Sequence, residues 1–423
     1  MAASDSTLVD KPSTFDLDHC VHCGLCLNAC PTYRELGVEM DSPRGRVYQM
    51  VQVSTGTAAI SDSYIEHIDL CLACRACETA CPSGVEYGRL VEAARAEIEN
   101  NVRRPWPARL LRNLVFARLL PSRTALRLAG LGMLVNQKLG IRKLLRGRLA
   151  ELDALAPAVE TPFFYRYYGK TLPAEGEPRY HVALLGGCIA NISFARLNEA
   201  TVRVLRKNGC DVTIPHAQTC CGALHVHAGR REEARELARR NIDALAEGRY
   251  DAIITNAAGC GSTIKEYDEL LEHNSEYAGT ARQFSTLVKD ITEFLASIEL
   301  NPQMNELPIT VTYQDSCHLA HGQKIRAAPR KLLRAIPGLT FKEMALADHC
   351  CGSAGIYNIL HTDMSMSLLE KKMDCVRDTR AEVIATANPG CMLQLEAGIR
   401  KFGGATRVAH VVELLDEAYH ERG

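Results

Sequence analysis

Four things are missing from this chain of 423 residues, and each absence removes a class of function. There is no surplus of charge: 49 Lys and Arg against 50 Asp and Glu leave a formal net charge of -1, which gives no electrostatic footprint for nucleic acid. No uninterrupted apolar run reaches the roughly 18 residues that a membrane-crossing helix needs, so no span is expected. The chain does not open on a basic n-region followed by an apolar h-region, so its cysteines are not expected to form a secreted disulfide scaffold. The reducing cytosol is the expected compartment. Finally, no G-x-G-x-x-G follows a strand pattern, so no flavin or nicotinamide site and no catalytic residue is expected on this polypeptide. What remains, 47% hydrophobic and 23% charged, is an ordinary soluble composition with room for two to four domains.

What is there is cysteine, 18 of them. Two stretches dominate: Cys20-Val-His-Cys23-Gly-Leu-Cys26-Leu-Asn-Ala-Cys30-Pro31 and Cys71-Leu-Ala-Cys74-Arg-Ala-Cys77-Glu-Thr-Ala-Cys81-Pro82. Each reads C-x2-C-x2-C-x3-C-P, the run by which bacterial-type ferredoxins hold 4Fe-4S clusters. Three thiolates two residues apart wrap a tight loop round one face of a cubane, and the proline turns the chain away. The fourth cysteine of such a run ligates the other cluster. One cluster is therefore assigned to Cys20, Cys23, Cys26 and Cys81, and the second to Cys71, Cys74, Cys77 and Cys30. Zinc, the competing metal, takes two separated C-x2-C pairs and leaves the third cysteine and the C-P step unexplained.

The residues around these loops set the organisation. Residues 1–15 are small and polar and read as a flexible tail. Tyr33 to Leu70 is expected to be mostly helical, with Ser42 as a helix N-cap and Pro43 at the first helical position. Arg44 and Arg46 either offset the negative charge of thiolate-ligated iron or form a plain salt-bridged turn. After an amphipathic helix over 90–100, residues 103–148 carry twelve cations and no acid: Arg103, Arg104, Arg109, Arg112, Arg118, Arg123, Arg127, Lys138, Arg142, Lys143, Arg146 and Arg148. Leu110, Leu111, Leu114, Val115 and Leu119 accompany them at helical spacing. Such a segment suits an anionic membrane surface or an acidic partner, or else it is a solvated face over the protein's own core. Prolines at 105, 107 and 121 are expected to break it into short helices, and 157–178 reads as a linker.

Beyond the linker the period alternates between strand and helix. Strands are expected over 181–185, 212–215 and 252–256, with helices over 194–209 and 231–246 between them, which is the pattern of a parallel α/β sheet. The plan repeats with strands over 309–313, 339–344 and 381–388 and helices over 328–336 and 357–376. Cys188, Cys220-Cys221-Gly222 and Cys260 recur as Cys317, Cys350-Cys351-Gly352 and Cys391, at offsets of roughly 130 residues, the mark of an internal duplication. In an open α/β sheet these loops converge on one edge. Cys260 and Cys391 each follow a glycine at a helix N-terminus, where the dipole favours thiolate. Each set of four is a possible further iron-sulfur site; zinc, a vicinal disulfide or inert buried thiols are the alternatives. Cys210 and Cys375 are left over and read as core residues. His225, His227, His318, His321 and His349 lie near these sites, each more readily structural than ligating.

Taken together, the sequence is expected to fold as α+β / α/β: a tail over 1–15, a helical two-cluster ferredoxin-like domain over 16–100, basic helices and linker over 101–178, and duplicated α/β units over 179–300 and 301–423. The combination resembles the iron-sulfur subunits of heterodisulfide reductase, anaerobic glycerol-3-phosphate dehydrogenase and glycolate oxidase. Cys30-Pro-Thr-Tyr-Arg-Glu-Leu-Gly, Asp41-Ser-Pro-Arg-Gly-Arg, Cys81-Pro-Ser-Gly-Val, Cys350-Cys-Gly-Ser-Ala-Gly and Asn388-Pro-Gly-Cys391 resemble the glycolate oxidase family over nearly the whole chain. That resemblance implies paired CCG domains and an electron-transfer subunit of a hetero-oligomer, passing electrons from a flavin (FAD) subunit that oxidises glycolate or a related 2-hydroxy acid toward a quinone. It also implies a place on the inner face of the cytoplasmic membrane. The alternative is a heterodisulfide-reductase-like or anaerobic glycerol-3-phosphate dehydrogenase subunit. The fuller CCG pattern of heterodisulfide reductase ends in C-x2-C; here Ala257 and Asn388 stand where the first of those cysteines falls, so its non-cubane clusters are not carried over.

Overall fold

The computed structural model describes residues 10–140, 147, 157–246 and 248–420. Helices Pro31–Leu36, Pro43–Ser54, Asp62–Asp69 and Tyr87–Asn101 wrap the two cysteine loops. Their apolar residues, among them Leu17, Val47, Met50, Ile68, Leu90 and Val91, close a small core against Cys71 and Cys77. The Ser42 hydroxyl accepts the Gly45 N–H at 2.9 Å, and Pro43 follows it, so the helix starts where the cap and the fixed proline φ dictate. The tail expected over 1–15 is corrected at its described end. Asp10 is buried against Arg231 at 3.1 Å and against Arg235, and Thr14–Asp18 is a helix capped by Ser13. A carboxylate taken out of water needs such partners, and these tie the start of the chain to the first α/β unit.

The basic segment forms helix Trp106–Asn113, a π-helical turn Leu114–Leu119 and helix Arg123–Leu139, divided near the prolines. Arg142, Lys143, Arg146 and Arg148 lie outside the described residues. No helix among the described residues is long and apolar enough to cross a membrane.

The first sheet holds β1 (Lys170–Leu172), β2 (Tyr180–Leu184), β3 (Cys210–Ile214), β4 (Ala252–Thr255) and β5 (Val288–Asp290), in the order β1-β3-β2-β4-β5. The second holds β6 (Thr310–Tyr313), β7 (Thr340–Lys342), β8 (Val383–Thr386) and β9 (Arg407–His410), in the order β7-β6-β8-β9. All pairings are parallel except β1 with β3. With β1 set aside, both sheets run second, first, third, fourth strand, so the duplication read from the cysteines holds in the topology. β1 and the buried Phe164 come from 157–178, which is therefore partly sheet edge and core and not only a connector. Strands of three or four residues, such as β1, β5 and β9, are too short for an alternating pattern to register. The two units share one core, in which helix Ala195–Lys207 packs on helix Val411–Tyr419 and Arg203 pairs with Asp416 at 2.6 Å.

Candidate metal centres

Four groups of thiols result. In the first loop Cys20 and Cys26 are half-buried and Cys23 is exposed. His22 and Gly24 take positive φ, which curls the loop. Burial pushes the Cys20 thiol up; the backbone N–H of His22 opposes the shift, while the neighbouring thiols Cys81 and Cys23 add to it. Cys81 thus lies beside Cys20, across from its own run. Arg44 leans over this loop, donating to the His22 carbonyl at 3.1 Å while paired with Glu39 at 2.6 Å.

The second group lines a small cavity with Cys30, Cys71, Cys74 and Cys77, joined by Thr32, Arg46, Arg75 and Tyr87. All four thiols are buried. Cys30 reaches this cavity from the first run because helix Pro31–Leu36 begins directly after it. Arg46, fully buried, donates to the His67 carbonyl at 2.6 Å and to Thr32 Oγ1 at 3.1 and 3.2 Å, facing Cys71 and Cys30. Of the two readings of the arginines, Arg46 unites both: it is a buried structural tie and a cation beside the thiols.

Each α/β unit gathers the thiols of its lone cysteine, its CCG triplet and its last cysteine. Cys188 lies after β2 and Cys317 after β6, while Cys260 and Cys391 open the helices that follow β4 and β8. In the first unit Cys220 Sγ is 3.4 Å from Cys188 Sγ and Cys221 Sγ is 3.0 Å from Cys260 Sγ. In the second, Cys317, Cys350, Cys351 and Cys391 contact one another in succession, and hydrogen bonding to Cys350 pushes the Cys351 thiol up to about 12. The CCG glycines are required by the backbone. Gly222 and Gly352 have φ of +85° and +88°, and a Cβ on Gly352 would sit 2.5 Å from the Ser365 carbonyl oxygen. Asn388, which stands where a fuller motif has cysteine, donates from Nδ2 to Cys391 Sγ at 3.4 Å. All described cysteines are free, the adjacent pairs Cys220-Cys221 and Cys350-Cys351 included.

Crowded, buried thiols resist ionisation unless a metal cation lies among them; the donor sets therefore fit iron-sulfur clusters, whose ligands are thiolates. Among the described residues, no three Cys, His, Asp or Glu converge on the position of a single ion. The second ferredoxin group and the second CCG group adjoin. Cys74, Cys317 and Cys350 pack in one apolar cluster with Leu72, Ala76, Tyr357 and Leu368, and the Tyr357 hydroxyl donates to the Leu70 carbonyl at 3.0 Å. Sequence alone did not single out Tyr357 or Leu368, which carry no motif and reach the site only through packing.

The histidines separate by partner. His225 is buried with Nε2 at 2.9 Å from the Phe116 carbonyl, and His321 bridges Thr79 and the Asp348 carbonyl. His349 meets Arg34, and burial with that cation lowers it to about 4. His227 approaches Glu92 at 3.5 Å. Only His318, with Nδ1 3.5 Å from Cys317 Sγ, touches one of the candidate thiols; burial lowers it to about 3, so its imidazole is neutral. Cys210 lies in the core on β3, and Cys375 is half-buried.

Three family models match parts of the chain. A 4Fe-4S dicluster domain model matches residues 16–85, a cysteine-rich domain model matches 182–265 and 311–396, and the model of the glycolate oxidase iron-sulfur subunit linker region matches 107–156. The chain is 42% identical over 418 residues to the probable glycolate oxidase iron-sulfur subunit of Bacillus subtilis, covering 95% of this chain and 94% of that one. To the glycolate oxidase iron-sulfur subunit of Escherichia coli it is 35% identical over 411 residues, 94% and 93% of the two chains. A fumarate reductase (CoM/CoB) subunit of Methanothermobacter marburgensis is 36% identical over 245 residues, 58% of this chain and 47% of that one.

Proposed function

Because the chain belongs to the family of glycolate oxidase iron-sulfur subunits, we propose that it is the electron-carrying subunit of a glycolate dehydrogenase complex. Its partner is an FAD-bearing subunit that oxidises glycolate, or a related 2-hydroxy acid, to the 2-oxo acid, and the electrons go to a quinone at the inner face of the cytoplasmic membrane. Cys20, Cys23, Cys26 and Cys81 hold one 4Fe-4S cluster and Cys71, Cys74, Cys77 and Cys30 a second. The two CCG sets, Cys188, Cys220, Cys221 and Cys260, and Cys317, Cys350, Cys351 and Cys391, hold one or two more. Bound there, the clusters supply one-electron carriage between a two-electron donor and a two-electron acceptor.

The chain's own residues do the rest. The first loop, with exposed Cys23 between exposed Val21 and Leu25, is the entry side, because a partner can approach it closely. Arg44 and Arg46 set positive charge beside the two ferredoxin groups. Leu72, Tyr357 and Leu368 exclude water between Cys74 and Cys350. That packing of Cys74 on Cys317 and Cys350 is the observation that carries the reading, since it makes one continuous route from ferredoxin domain to CCG domain.

The test is a Cys74→Ser chain assembled with its flavin partner. Quinone reduction is expected to vanish while glycolate oxidation with a dye that takes electrons directly from the flavin continues. Unchanged quinone turnover refutes the route. Iron per chain on anaerobically purified protein tests the sites: about twelve to sixteen supports clusters in the CCG domains, and about eight confines them to the ferredoxin loops.

A further inference from the structure

The helix pair Trp106–Asn113 and Arg123–Leu139 presents its apolar residues outward. Trp106, Leu110 and Leu114 recur at i, i+4 and i+8, and Leu128, Leu131 and Leu139 share one side of the second helix. They are exposed to 71, 63, 57, 64, 47 and 70% respectively, where a helix of a water-bound surface would turn such a stripe inward. The inward side is already supplied by Phe116, Leu120 and Leu126, all buried. Beside the exposed apolar positions stand Arg109 and Lys138, which form no ion pair among the described residues, and the whole segment 103–148 has no acidic side chain.

The inner side grips the loop that carries the first CCG triplet. Arg123 donates to the carbonyls of His216 and Gln218, Thr219 Oγ1 donates to the Pro121 carbonyl at 3.3 Å, and Arg112 donates to the Ala228 carbonyl at 2.9 Å. Cys220 follows Thr219 directly. The helix pair is thus a single layer, with the Cys188–Cys220 group behind it and an apolar, cationic surface in front.

We propose that this surface lies in the headgroup layer of an anionic phospholipid bilayer, with Trp106 and the leucines at the acyl boundary and Arg109 and Lys138 at the lipid phosphates. A large apolar stripe interleaved with uncompensated cations is the pattern of an interfacial helix. A protein interface of this size depletes charge at its centre and concentrates it at the rim. The placement rests on the reading that electrons leave toward a membrane quinone, and it deepens that reading: only one helix diameter, roughly 10 Å, then separates lipid from the first CCG loop.

Trp106 is the sole tryptophan of the chain, so its fluorescence reports this face alone. The full-length protein is mixed with vesicles of phosphatidylglycerol or of phosphatidylcholine. With phosphatidylglycerol the emission is expected to shift to shorter wavelength and the protein to sediment with the vesicles; with phosphatidylcholine neither is expected. Arg109→Gln and Lys138→Gln are each expected to weaken partition by roughly fivefold. Leu110→Ser with Leu128→Ser is expected to abolish the shift without changing iron content. A Trp106 signal indifferent to both vesicles overturns the proposal, as does a shift produced by the purified flavin subunit in the absence of lipid, which would make this face a subunit interface. Because the Trp106 signal requires no electron transfer, a silent Trp106 in a complex that still reduces quinone removes this placement and leaves the function standing. A normal shift in a complex that reduces no quinone removes the acceptor and leaves the placement.

Discussion

Arg46→Leu is the most informative single change in the ferredoxin domain. The Arg46 side chain is 1% exposed and donates to the His67 carbonyl, to Thr32 Oγ1 and, at 3.4 Å, to Asp41 Oδ1. Without it Asp41, 5% exposed, keeps only His67 Nδ1, at 2.8 Å, as a side-chain partner of its carboxylate among the described residues. Breaking a buried pair on one side costs about 3–5 kcal/mol. Leucine recovers roughly 1–2 kcal/mol through burial, which leaves a net loss of about 3 kcal/mol. With a urea dependence of about 1–3 kcal/mol per molar, the midpoint should fall by roughly 1–3 M. Loss of the visible cluster absorbance against urea, under anaerobic conditions, reads this domain directly. Asp41→Asn combined with Arg46→Leu removes the stranded carboxylate and should recover about 1 kcal/mol. A midpoint shift below about 0.3 M, or a double variant no better than the single one, refutes the account. The same substitution takes a cation away from Cys30 and Cys71, so the reduction potential of the second cubane should fall in a redox titration.

Gly352→Ala forces a methyl group to within 2.5 Å of the Ser365 carbonyl oxygen at a φ of +88°, so the second CCG loop cannot keep its path. EPR should show the ferredoxin signals intact and any CCG signal lost; an unaltered spectrum would place the cluster elsewhere. Glu413 tests stability against pH. Burial raises its carboxyl to about 7 despite the His410 N–H at 2.7 Å, with Glu160 and Glu417 adding to the shift and Arg407 opposing it. The folded state therefore holds this proton more tightly than the unfolded chain, whose value is near 4.5; the contribution is complete below that pH and is lost as pH rises through about 7. Glu413→Gln keeps the acceptor of the helix cap but does not titrate. Between pH 5 and pH 8 the wild type should lose about 2 kcal/mol relative to it in paired urea melts, and parallel profiles would contradict the burial argument.

Much of this architecture is legible in the residues themselves. The C-x2-C-x2-C-x3-C-P runs, the Ser42-Pro43 helix start and the CCG periodicity are local patterns, and local patterns suffice because a tight loop, a helix cap or a strand ending at a glycine is decided within a few residues. The duplication is equally visible, since one topology used twice needs the same breaks at the same intervals. Three outcomes depended on packing instead. Residues 157–178 supply a sheet edge and Phe164, because the free edge of β3 pairs even a three-residue strand. Asp10 is buried by arginines more than 200 positions away. The juxtaposition of Cys74 with Cys317 and Cys350 is likewise absent from any local pattern. The leucines of 106–139 show the division most clearly: helical spacing determined that they share a face, but only the prior claim of Phe116, Leu120 and Leu126 on the core decided that the face points outward. Sequence spacing thus fixes which donors a single loop can present. Which loops meet, and which apolar stripe stays uncovered, is settled by the competition of all elements for one buried volume.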